Sequence, residues 1–246
     1  MNKSINLDIK TVVANAISSP LSKIDREKFL RKTLTKIYSE KIVEKAIIYT
    51  PTSAGIPLEN LDKIAKDSID YEKYKVTIIS SVAGIPGGTA LMVTVPADLG
   101  QYFIHVFRIM QKLMYLYGWD NIYDCDSQID DKTLKMLIIF LGVMYGVESA
   151  NTVIKGFANT IAKELPKKVA RKPLTKTFWY PIIKEVLAQV GIKVTKKSTS
   201  NILGRMVPII SAALAGTITY HTFQEQSEKL RQRLSELEVA NIQNNK

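Results

Sequence analysis

Five polar side chains recur at helical spacing near the middle of the chain: Asp98, Gln101, His105, Arg108 and Lys112. At 100° per residue they fall within a stripe about 80° wide. His105 is the titrating member, because an unperturbed imidazole changes charge near neutral pH. Arg108 and Gln101 flank it. If this helix lies mid-core, the stripe becomes a polar cleft and a candidate ligand-binding site. If the helix lies outermost, the same stripe is a solvated face with i,i+4 support. The rest of its circumference is apolar: Leu99, Tyr102, Phe103, Val106, Phe107, Met110, Leu113, Met114 and Tyr117. The neighbouring stretches 76–95 and 134–147 are apolar too, which favours partial burial. No reaction can be named from these residue types.

Other constellations carry less. With only His105, His221 and Cys125, no zinc-type ligand spacing exists, so no metal site is expected. Asp120, Asp124, Asp126, Asp130 and Asp131 lack the register and terminal glutamate of a calcium loop and read as a solvated acidic loop with helix caps. Gly84-Ile85-Pro86-Gly87-Gly88 is followed by Thr89 without the Gly-Lys-Ser/Thr ending of a phosphate loop. Its glycines suit a sharp turn and close packing. There is no Gly-x-Ser-x-Gly elbow, no Ser–His–Asp grouping and no cofactor motif.

The 246 residues carry 34 Lys+Arg against 23 Asp+Glu, a net charge of +11. That surplus favours a polyanion: an anionic lipid surface, an acidic partner or nucleic acid. Nucleic acid is the weakest of these. Lysine outnumbers arginine, the basic positions are scattered, and neither an Arg-rich recognition helix nor an aromatic RNA-binding strand is present. The densest basic runs are Lys163 to Lys176 and Lys193 to Lys197. A single cysteine rules out an intrachain disulfide and fits a reducing compartment. Asp8 and Lys10 interrupt any secretory core, so a cytoplasmic location is expected.

These residues sit in a chain whose apolar positions repeat with the α-helical period almost throughout. The expected fold is all-α: a multi-helix globular bundle with a central apolar helical hairpin and a long C-terminal helix. Helices are predicted over 5–17, over 25–49 from Asp25, and from Leu58 to about Tyr71, where a charged Tyr-Glu-Lys-Tyr segment follows. Val76 to Ala97 then gives 22 residues without a charge. Its centre is broken by Gly84–Gly88, and each flank is shorter than the roughly 20 residues needed to cross a bilayer. A buried hairpin or a re-entrant segment is the expectation.

Pro96 and Asp98 suit a helix first turn, and Gly118 suits its end. Further helices are predicted over 134–147, 148–169 and 177–190, the last ended by Gly191. A short helical turn follows at 198–205, and a final helix at 208–240 turns polar after Gln224. Three regions follow: N-terminal amphipathic helices over 1–75, a core over 76–222, and a polar helical tail over 223–246 that emerges into solvent or packs loosely.

Gly87-Gly88-Thr89-Ala90-Leu91, Val95-Pro96-Ala97-Asp98-Leu99, Arg108 and Tyr117-Gly118-Trp119-Asp120 together resemble the EcsC family of bacterial proteins. A second block, Arg205-Met206-Val207-Pro208-Ile209-Ile210-Ser211-Ala212 with Gly216 and Tyr220, is similar to that family's C-terminal motif. Ser211 and Thr219 stand where the family carries glycine and asparagine. The resemblance spans roughly 78–220. It implies a helical bacterial protein whose namesake is linked to an ABC transporter, and it supplies no catalytic residues.

Three function classes follow. The first is a non-catalytic helical protein at the cytoplasmic membrane surface or with a membrane-transporter partner. The second is a lipid- or small-molecule-binding protein, or an enzyme, using the stripe from Asp98 to Lys112. The third is a soluble interaction or toxin-related module.

Overall fold

A computed structural model describes residues 9–83, 91–121, 131–164, 179–204 and 208–241, with the backbone alone at 79–83, 91–98, 132, 163–164, 192–204 and 208–216. Among the described residues every regular element is helical: α1 (Ile9–Ser18), α2 (Arg26–Leu34), α3 (Glu40–Ile48), α4 (Leu58–Ala83), α5 (Leu91–Leu116), α6 (Asp131–Met144), α7 (Glu148–Glu164), α8 (Trp179–Gly204) and α9 (Pro208–Ser235), with 3-10 turns at Pro20–Ser22 and Glu238–Asn241. The expected all-α bundle is what forms. None of the described helices is long and apolar enough to cross a membrane.

The bundle is organised around α5. Val106, Phe107, Ile109, Met110 and every residue from Leu113 to Tyr117 are fully buried. Burial on all sides follows from its neighbours: α1, α2, α4, α6 and α9 all pack against it. Each such side chain contributes about 1.5–3 kcal/mol when removed from water. α1 presents Ile9, Val13, Ala16 and Ile17 to the core at three- and four-residue spacing. α5 ends as its sequence predicts: Gly118 has φ +88°, and Trp119 N–H donates to Met114 O at 2.9 Å, closing a Schellman turn.

Several boundaries differ from the sequence reading. The helix expected over 25–49 is two helices. Asp25 caps α2 by accepting from Lys28 N at 2.9 Å, but the helix stops at Leu34. Thr35 Oγ1 back-bonds to Arg31 O there, the local competition that makes threonine a poor helix interior. Arg26 then stabilises the far end of α3. Its guanidinium donates to the carbonyls of Ile47 (2.7 Å), Ala46 (3.4 Å), Tyr49 (3.2 Å) and Trp119 (3.3 Å). A buried cation at a helix C-terminus meets the negative end of the dipole and otherwise unbonded carbonyls.

α4 does not end near Tyr71 but runs on to Ala83, so the charged Tyr-Glu-Lys-Tyr segment is mid-helix. Pro96 is the sixth residue of α5 rather than part of its first turn. Gly191 lies inside α8, which continues to Gly204 through the described part of the turn expected over 198–205. The tail expected to emerge or pack loosely is core: Phe223, Leu230, Leu234, Val239 and Ala240 are fully buried, and α9 lies along α4. The centre of the expected apolar hairpin, 84–90, and the acidic loop at 122–130 lie outside the described residues, as does most of the basic run at 163–176.

Close approach explains Gly142. A Cβ built there would stand 2.5 Å from Val186 Cγ2 and 2.7 Å from Ala150 Cβ, so α6, α7 and α8 meet at a point only hydrogen fits.

Candidate functional site

Leu61, Ala65, Ile69 and Val76 make the buried stripe of α4, and Glu72 lies in the same row. The packing that buries the leucine and isoleucine therefore also removes Glu72 from solvent completely. A lone buried carboxylate would be strongly disfavoured. Three residues of the predicted stripe answer it from α5, at one-turn intervals. His105 Nδ1 lies 2.6 Å from Glu72 Oε2, Lys112 Nζ donates to Oε1 at 2.7 Å, and Arg108 Nε donates to Oε1 at 3.2 Å.

Burial alone would push the Glu72 carboxyl up. The bond from His105 and the charges of Lys112 and Arg108 outweigh it and hold the carboxyl at about 2, below its ordinary 4.5. The two ends of the Glu72–Lys112 pair are not mirror images. Burial leads in lowering Lys112, against the pull of Glu72, whose Oε1 it shares with Arg108. Three donors on one carboxylate keep Glu72 ionised at neutral pH, and an ionised Glu72 in turn favours Lys112 as the ammonium.

The predicted stripe is thus divided. His105 and Lys112 are buried, and Arg108 is a quarter exposed. Gln101 is half-buried and has no part in the cluster, and Asp98 lies in the backbone of α5 with its side chain outside the described residues. The stripe is not a solvated face. Sequence reasoning missed Glu72, although a single carboxylate in an apolar row at helical spacing was the available signal.

Arg108 and Lys112 also border a groove of about 580 Å³ between α2 and the α4–α5 pair. Its other basic residues are Lys23, Lys28, Lys32 and Lys36, against only two carboxylates, Asp25 and Asp67. Lys28, Lys32 and Lys36 follow one another at i,i+4 spacing and are exposed. Among the described residues only Lys28 of these three is ion-paired, with Asp25 at 3.5 Å. Phe29 and Tyr71 give the groove aromatic walls, with Lys112 Nζ 4.9 Å from the centre of the Tyr71 ring. A hydrogen bond with Lys75, helped by the charges of Lys75 and Lys112, lowers the half-exposed Tyr71 hydroxyl below its ordinary value.

The rim is held rigidly by Gln111. Its fully buried amide accepts from Ile24 N (2.9 Å) and donates to Ser22 O (2.8 Å) and Phe107 O (2.7 Å), fixing the Ser22–Ile24 segment on α5. Arg108 Nη1 adds a bond to Leu21 O at 2.9 Å. Among the described residues no group of three or more His, Cys, Asp or Glu is placed to hold a metal ion. The arrangement can bind an anion. Glu72 itself, held at about 2 by three donors, is a weak proton acceptor. Comparison with known protein families, with curated proteins and with solved structures returned no match.

Proposed function

We propose that the chain is a non-catalytic helical protein that works at the anionic cytoplasmic face of a membrane, where a membrane transporter complex is a fitting partner. The observation that carries this reading is the groove beside α2, with six basic side chains against two carboxylates. The whole-chain charge of +11 acts in the same sense. A lysine near an anionic lipid surface contributes about 1 kcal/mol. The exposed row Lys28, Lys32 and Lys36 thus contributes about 3 kcal/mol, roughly a hundredfold in affinity. The resemblance to the EcsC family through the motifs within Gly87–Asp120 and Arg205–Tyr220 belongs to the same proposal, since that family's namesake is linked to an ABC transporter.

Co-sedimentation with vesicles tests it. Phosphatidylcholine vesicles containing phosphatidylglycerol should carry the protein down, phosphatidylcholine alone should not, and added salt should release it, because the Debye length falls to about 3 Å at 1 M. Equal sedimentation with both vesicles, unaffected by salt, would sink the proposal.

A further inference from the structure

We infer that the groove is a selective site for a phosphate monoester, whether a lipid headgroup or a free polyol phosphate, with Arg108 and Lys112 at its base and Lys32 and Lys36 at its rim. The inference rests on the membrane-surface reading of the same groove and goes further: that reading requires only charge, whereas this one requires discrimination.

Charge at the base is unbalanced. Glu72 supplies one negative charge to two fixed cations, Arg108 and Lys112, so one positive charge is left beside the groove. Donors are left as well. A guanidinium has five N–H groups, and Arg108 commits one to Glu72 and one to Leu21 O. An ammonium has three, and Lys112 commits one to Glu72. These residual donors sit on side chains whose positions the Glu72 bonds already fix, so little ordering remains to be done on binding.

The anion that matches has several acceptors and more than one charge. A phosphate monoester carries about −1.5 to −2 at neutral pH with three strong acceptor oxygens. A diester carries one charge and fewer free oxygens. The dimensions agree: about 580 Å³ lies within the range of roughly 300–1,000 Å³ common for small-ligand pockets. That space takes one phosphate with a short organic group against Tyr71 and Phe29. Its cations gather in one pocket, whereas a nucleic-acid track needs a run of phosphate contacts.

The test compares vesicles containing phosphatidate, a monoester, with vesicles containing phosphatidylglycerol, a diester, at matched surface charge. Binding should be at least about tenfold tighter to phosphatidate. Glycerol 3-phosphate is added as a soluble competitor. Competition identifies a free phosphate as an adequate ligand, and absence of competition places the requirement in the bilayer headgroup; both support a monoester site. The preference should shrink towards unity in Arg108→Gln. Because that variant disturbs the Glu72 cluster, Lys32→Ser/Lys36→Ser, altered only at exposed positions, is measured beside it and should lose most of the preference as well.

Equal affinity for the two vesicles at matched charge overturns the inference and leaves the surface-binding proposal standing. Tighter binding to a single-stranded oligonucleotide than to phosphatidate overturns it too. Failure to bind either vesicle overturns both.

Discussion

Replacing Glu72 with glutamine preserves the shape of the side chain and removes the one negative charge shared by His105, Arg108 and Lys112. Two fixed cations would then face each other across a neutral amide at a fully buried position. Removing one partner of a buried pair costs about 3–5 kcal/mol. The lower end applies, because Arg108 is a quarter exposed and Lys112 borders the groove, so both can turn towards water. The carboxyl's own acidity gives the same scale. Holding it at about 2 rather than 4.5 corresponds to roughly 3 kcal/mol at about 1.4 kcal/mol per pKa unit. Urea unfolding of Glu72→Gln should show this loss with an unchanged slope. Glu72→Leu/Lys112→Met, which removes the carboxylate and one buried cation together, should recover part of it. A loss below about 1 kcal/mol for Glu72→Gln would refute the reasoning, since it is the scale of a solvated pair.

Three further outcomes follow. Stability should be full above about pH 5 and fall as the pH drops towards 2: the folded carboxyl lies below its unfolded value, so the unfolded chain takes up the proton first. Melting temperature against pH checks this, and Glu72→Gln should flatten that part of the profile. Gly142→Ala should cost about 1–3 kcal/mol in denaturant melts, because its Cβ would overlap Val186 and Ala150 side chains on two other helices. Arg26→Ala should cost more than about 2 kcal/mol by stranding carbonyls at the end of α3, and Arg26→Lys should recover little, because an ammonium cannot reproduce the planar fork.

Helical character, the Asp25 cap and the Gly118 stop could be read from the chain because each rests on local chemistry. The breaks at Thr35 and the continuation through Gly191 could not. Both depend on what packs alongside, and tertiary contacts outweigh a propensity worth less than about 1 kcal/mol. The same limit explains α9. Its second half looks polar because Leu230 and Leu234, with Leu237 just beyond it, are spaced among charges, yet all three are buried where α9 packs against α4, α5, α6 and α8. Of the candidate site, periodicity alone brought His105, Arg108 and Lys112 together. Their partner was hidden by sequence distance: Glu72 lies 33 residues from His105, on another helix. Lys28, Lys32 and Lys36 did not stand out among the many lysines of the sequence, because their role depends on the groove that the fold builds beside them.

The central claim is that this groove, rather than the overall charge, binds an anionic surface. It is tested most directly by two triple variants of equal net charge. Lys28→Glu/Lys32→Glu/Lys36→Glu alters the groove rim, and Lys41→Glu/Lys155→Glu/Lys184→Glu alters exposed lysines elsewhere. Titration with anionic vesicles should show the rim variant weakened by at least about a hundredfold, the scale set by three lysines at about 1 kcal/mol each, and the control weakened far less. Equal weakening of the two variants would contradict the account.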